Sequence, residues 1–190
     1  MSKRSLYILA ISLLLLGCAT EGSGFSTGEN LIQPLPFPGN GWVAYGKVDG
    51  SVEQYRWISS EENGQVDTSV AKGARRDLAG YLEFDVNLAR SKCSAVEREV
   101  VAEAPANGYL SATWHTRCEL GEGRIRSILQ KAIQGQDSFY LVKRIWPDPP
   151  TRADYTAWRE YLETVVVCDT RRPGSCPEGY EPGRNLATPG

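Results

Sequence analysis

Nine residues, Ser138 to Trp146, carry apolar side chains on both sides of an extended chain: Phe139, Leu141 and Ile145 on one, Tyr140, Val142 and Trp146 on the other. A strand that is apolar on both faces must be covered on both, so it belongs inside a sheet with further layers above and below. Helices or an N-terminal hairpin have to supply that cover. The rest of the chain is therefore read for its neighbours and its lids.

Three hairpins are expected. Trp42–Val48 and Ser51–Ser59 flank Asp49-Gly50, a dipeptide suited to the left-handed backbone of a tight turn. Ala95–Ala104 and Tyr109–Cys118 flank a turn at residues 105–108 that contains Asn107-Gly108. Ile125–Ile133 and Ser138–Trp146 join through residues 134–137. Two helices are expected between and after them. Residues 72–92 place Leu78, Tyr81, Leu82, Leu88 and Ala89 on one stripe, interrupted by Asp85. Residues 151–165 repeat Tyr155, Trp158, Leu162 and Val165 at three- and four-residue steps, and Thr151 with Asp154 resembles a capping box. The fold class is α+β: an antiparallel sheet of three hairpins with two main helices. In Tyr109–Cys118 the alternation puts Leu110, Ala112, Trp114, Thr116 and Cys118 toward the core, and leaves Thr113, His115 and Arg117 toward solvent.

Five cysteines are present, and the first stands apart. Lys3 and Arg4 precede an apolar run from Leu6 to Leu16. That run is far short of the ~20 residues that span a bilayer, so residues 1–17 read as a signal peptide. Leu15-Leu16-Gly17-Cys18 resembles the lipobox of bacterial lipoproteins. The resemblance implies that a diacylglycerol joins the Cys18 sulfur, that cleavage follows Gly17, and that the new amino group is acylated. Ala19 in place of Asp implies sorting to the outer membrane, with the protein facing the periplasm. Loss of Lys3 and Arg4 takes the formal charge from −2 to −4, with 19 basic and 23 acidic residues remaining. A mildly acidic body does not suit a nucleic-acid partner, which is bound by neutralising phosphates.

Four cysteines remain: Cys93, Cys118, Cys168 and Cys176. An even number in an exported chain points to two disulfides, and three pairings are open. If residues 105–108 turn, positions summing to about 213 face one another, which brings Cys93 near Cys118. Cys168 and Cys176 enclose only seven residues. The expected pairs are Cys93–Cys118 and Cys168–Cys176. The spacings lack the close pairs of a zinc site, and neither a metal nor a cofactor is expected.

The chain divides into residues 1–17, a lipidated Cys18 with a Gly-, Ser- and Pro-rich tether over 18–41, a domain over 42–176, and a Pro- and Gly-rich tail over 177–190. A tether of about 22 residues has a typical reach of roughly 25 Å.

No catalytic residue is assigned. His115 is the only histidine, and no HExxH pattern occurs. The acids Glu61-Glu62 and Glu97, Glu99 and Glu103 read as solvated faces, with nothing setting two of them across a cleft. Two contact surfaces are singled out. Arg144 shares a face with Tyr140 and Trp146, which allows cation–π stacking. Arg171 and Arg172 lie in a positive loop between Cys168 and Cys176, suited to an acidic protein or an anionic envelope polymer.

The segments "NGYLSATWHTRC", "GRIRSILQKAIQGQDSFYLVKRIW" and "WREYLETVVVCD" resemble a group of proteobacterial exported proteins without an established activity, over roughly residues 75–170. The helix–hairpin–hairpin–helix order is also loosely similar to Mog1/PsbP-like domains, which implies a binding or assembly module. The sequence thus leads to an envelope lipoprotein that binds rather than catalyses. Two alternatives stand beside it: a carboxylate-dependent envelope hydrolase assisted by His115, and a toxin- or small-ligand-binding, immunity-type lipoprotein.

Overall fold

The computed structural model describes residues 27–49, 52–73 and 76–177. Residues 1–17, Cys18 and the tail over 178–190 lie outside the described residues, so the lipobox and the tail stay expectations from sequence.

Seven strands form one antiparallel sheet: β2 (Trp42–Asp49), β3 (Val52–Ser59), β4 (Gly64–Lys72), β5 (Ala95–Glu103), β6 (Leu110–Glu119), β7 (Ile125–Gln134) and β8 (Ser138–Trp146). Their order across the sheet is β2-β3-β4-β8-β7-β6-β5. The three expected hairpins are present. Strand β4 lies outside the three expected hairpins; it bridges the first of them to β8 by pairing Val66 with Arg144 and Val70 with Tyr140. A separate two-stranded ribbon pairs β1 (Glu29–Ile32) with β9 (Val166–Asp169).

The doubly apolar strand is covered as its sequence requires. Helix α2 (Arg152–Thr164) caps the larger core, where Trp158 and Leu162 meet Leu129, Ile133, Tyr140, Val142 and Trp146. Helix α1 (Leu78–Lys92) lies on the other face, with Tyr81 against Trp114, Ala132, Phe139 and Leu141. Asp77 caps α1 by accepting from the Ala79 and Gly80 amides, and Thr151 caps α2 by accepting from the Asp154 amide. Such caps satisfy amides that no helical carbonyl reaches. Lys131 of β7 is buried and donates to the Leu162 and Val165 carbonyls, tying the C-terminal end of α2 to the sheet.

Both disulfides form as expected. Cys93 and Cys118 join α1 to β6 with Cα atoms 5.4 Å apart, and Cys168 and Cys176 close a short loop at 4.9 Å. Loop closure gives contributions of about 3.5 and 2.5 kcal/mol. Two such bonds are typical of a domain that matures in an oxidising, extracytoplasmic compartment.

The tether expected over 18–41 requires correction. Residues 27–41 belong to the domain. Phe37 is buried, with ring centroids 5.1 to 5.8 Å from Trp42, Trp57, Trp158 and Tyr161. Pro34, Pro36 and Pro38 narrow the backbone freedom of this stretch before it folds. Ordering it is thereby less costly, and the aromatic contacts outweigh the rest.

Candidate functional site: the uncovered half of the sheet

Helix α1 covers only part of its face of the sheet. It packs on β5, β6 and β7. On that same face the register sets Val43 opposite Ile58, Tyr45 opposite Arg56, and Arg56 opposite Asp67, with Asp67 opposite Lys143. No element covers these β2–β4 positions among the described residues. Val43, Ile58 and Tyr45 are consequently 48%, 43% and 57% exposed, an unusual degree for neighbouring apolar side chains on a sheet. Beside them a cleft of about 410 Å³ is lined by Tyr45, Gln54, Arg56, Asp67, Ser69, Leu141 and Lys143.

The charges in the cleft are fixed from beneath. Arg56 donates to both Asp67 oxygens, at 2.8 and 3.1 Å, and Gln65 donates to Asp67 at 2.7 Å. The Lys143 ammonium lies 3.7 Å from Asp85, its one ionic partner among the described residues. Asp85 is buried. Its Oδ2 accepts from Trp114 Nε1 at 2.9 Å and from Gln130 Nε2 at 2.8 Å. Burial lowers the Lys143 pKa, opposed by Asp85 and Asp67. The cleft therefore offers an ammonium beside a bidentate Arg–carboxylate pair, next to an apolar shelf. That combination offers apolar, ionic and hydrogen-bonding contacts side by side.

Asp85, which interrupts the apolar stripe of α1 in the sequence, sits on the buried side of that helix. Leu88, counted in the stripe, is 44% exposed, and Leu110, assigned to the core face of β6, is 62% exposed. The helix turns its polar atom inward because the Trp114 indole N–H and the Gln130 amide lie beneath it and need an acceptor.

His115 faces α2 rather than solvent. Its ring meets Tyr155 at a centroid distance of 5.1 Å, and its Nε2 is buried without a hydrogen-bond partner among the described residues. Glu99 stands opposite it across β5–β6. Burial lowers its pKa below the ordinary 6.5, with Glu99 pulling the other way. The sign follows. An unfolded chain takes up this proton near 6.5 and the folded chain only at lower pH, so stability is complete above 6.5 and falls as pH drops through that window. Thermal melts between neutral pH and about pH 5 should show this loss in the wild type and a shallower one in His115→Phe. Equal slopes in the two proteins would remove His115 as the cause.

The expected contact pair Arg144 and Trp146 is not a surface. Both are buried, at 1% and 4% exposure. The Arg144 guanidinium lies 5.0, 4.7 and 5.1 Å from the Trp42, Trp146 and Trp158 ring centres. It donates to the Ile145 and Glu62 carbonyls, and burial pulls its pKa down to about 10. Alternation put Arg144 on the right face; the sequence could not show that Trp42 and Trp158 close over it. Arg171 and Arg172 keep partly exposed side chains, but Arg171 is ion-paired with Asp169 and Asp137. Arg171 holds the Asp169 carboxyl below its ordinary value. Arg172 lies over the Tyr109 ring at 5.0 Å. Glu97 and Glu99 are exposed on edge strand β5, while Glu62 accepts from the Asn40 amide.

No protein-family model matches the chain, and no curated protein matches it. Two solved structures are similar in backbone arrangement. One is PA94 from Pseudomonas aeruginosa, a protein of unknown function: 14% identity over 67% of this chain and 97% of that one, with a TM-score of 0.43. The other is the solution structure of CyanoP, the PsbP of Synechocystis sp. PCC 6803: 14% identity over 77% of this chain and 94% of that one, with a TM-score of 0.47.

Proposed function

We propose that the chain is a lipid-anchored binding module of the bacterial cell envelope, held at Cys18 and presenting the uncovered half of its sheet to another envelope protein. The observation that carries the binding reading is the exposed row of Val43, Tyr45 and Ile58 beside a cleft of fixed charge. Apolar side chains left contiguous on a stable sheet mark a docking surface, and an aromatic beside an Arg is the composition that interface centres favour. The anchor reading draws on the lipobox resemblance, and outer-membrane sorting on Ala19. Two disulfides accord with an exported domain.

The anchor is tested by Cys18→Ser. The wild type should incorporate labelled acyl chains and sediment with outer membranes, and the variant should do neither. Sedimentation of the variant with the membranes would refute lipid attachment at Cys18.

A further inference from the structure

The described residues begin nine positions after Cys18, and they begin at one pole. Thr27 shares a polar concavity of about 500 Å³ with Glu29, Lys72, Gln136 and Asp137. Glu29 pins it there: its carboxylate accepts from the Gln136, Asp137 and Ser138 amides at 2.5, 3.0 and 3.2 Å. A side chain on Gly135 would meet that carboxylate, with a Cβ 2.2 Å from Oε2. The N-terminal entry is thus fixed to the β7–β8 turn. Strand β7 runs from this turn to the opposite pole, where Gly121–Gly123 turns the chain. The ten residues of that strand separate the two poles by about 30 Å.

Nine peptide steps join Cys18 to Thr27. At ~3.3–3.6 Å each they span at most about 32 Å, and a flexible chain of that length typically reaches roughly 17 Å. With Cys18 in the headgroup layer, an inverted domain would hold Thr27 about 30 Å from the membrane and require the link to be stretched almost to its full length. We propose that the pole formed by Thr27, Lys72, Gln136 and Asp137 faces the phospholipid headgroups, an inference that rests on lipid attachment at Cys18. Its charges are paired, Lys72 with Glu53 and Arg171 with Asp137. Paired charge of this kind suits zwitterionic headgroups rather than acyl chains. The docking face then stands upright beside the membrane, with Val43 and Ile58, at the far ends of their strands, distant from it.

The test uses the full lipidated chain in vesicles of phosphatidylethanolamine and phosphatidylglycerol that carry acceptor-labelled headgroups. A donor amino acid is placed at Gln136 or at Glu122, both exposed. Energy transfer from position 136 should be at least about twice that from 122. Flotation with the vesicles together with equal or greater transfer from 122 overturns the orientation alone. Failure of the wild-type chain to float, as expected of Cys18→Ser, removes the anchor and the orientation together.

Discussion

Changing Gly64 to Ala should destabilise the fold by about 3 kcal/mol, although its backbone lies outside the left-handed region that glycine alone favours. The reason is Arg144. A Cβ on Gly64 would lie 1.7 Å from Nη1 and 2.6 Å from Cζ of that guanidinium. The guanidinium fills a chamber between Trp42, Trp146 and Trp158 and has nowhere to retreat. Arg144→Ala should cost about 3–5 kcal/mol by emptying the chamber. Arg144→Met should stay within about 2 kcal/mol of the wild type. No carboxylate pairs with Arg144 among the described residues, and a buried charge without one loses much of its attraction to desolvation. The decisive comparison is the double mutant. In an Arg144→Met background Gly64→Ala should cost less than about 1 kcal/mol, because the atom it strikes is gone. Urea denaturation measures all four proteins. Additive costs would show that the Gly64 side chain is excluded by something other than Arg144.

Replacing Asp85 with Ala should cost about 3–5 kcal/mol in the same measurement. Three groups lose their acceptor at once: the Trp114 indole, the Gln130 amide and the Lys143 ammonium. The indole and amide are buried and have nowhere else to turn. Asp85→Asn keeps one acceptor oxygen but sets an amide near Lys143, so a loss of about half that size is expected. A loss below about 1 kcal/mol for Asp85→Ala would mean that water replaces the carboxylate, and that the cleft is not braced through α1.

The strands and helices were legible where one local rule governed them. Asn107-Gly108 and the alternation of β6 and β7 identify hairpins without knowledge of the partner strands, and the Cys93–Cys118 pair follows from that turn. Strand β4 was legible too, since Val66, Thr68 and Val70 alternate, but a polar lead-in hid it. What local rules cannot show is which distant element closes over a face. Phe37 reads as part of a Pro-rich linker until Trp57 and Trp158 surround it. Asp85 reads as a flaw in an apolar stripe until Trp114 and Gln130 supply the donors that require it. Arg144 reads as a surface cation until two further tryptophans arrive from β2 and α2. The uncovered half of the sheet was the least legible feature. Val43, Tyr45 and Ile58 look like ordinary strand residues, and their exposure depends on α1 being seated over β5–β7 and on nothing else crossing β2–β4.

Position-specific photo-crosslinking in intact envelopes tests docking through this face most directly. A photoreactive residue is placed singly at Tyr45 and Ile58 on the open face, and at Glu99 and Glu122 away from it. Binding through the uncovered half-sheet predicts one discrete protein adduct from positions 45 and 58 and none from 99 or 122. Adducts of equal yield from all four positions, or an adduct from 99 alone, would contradict it.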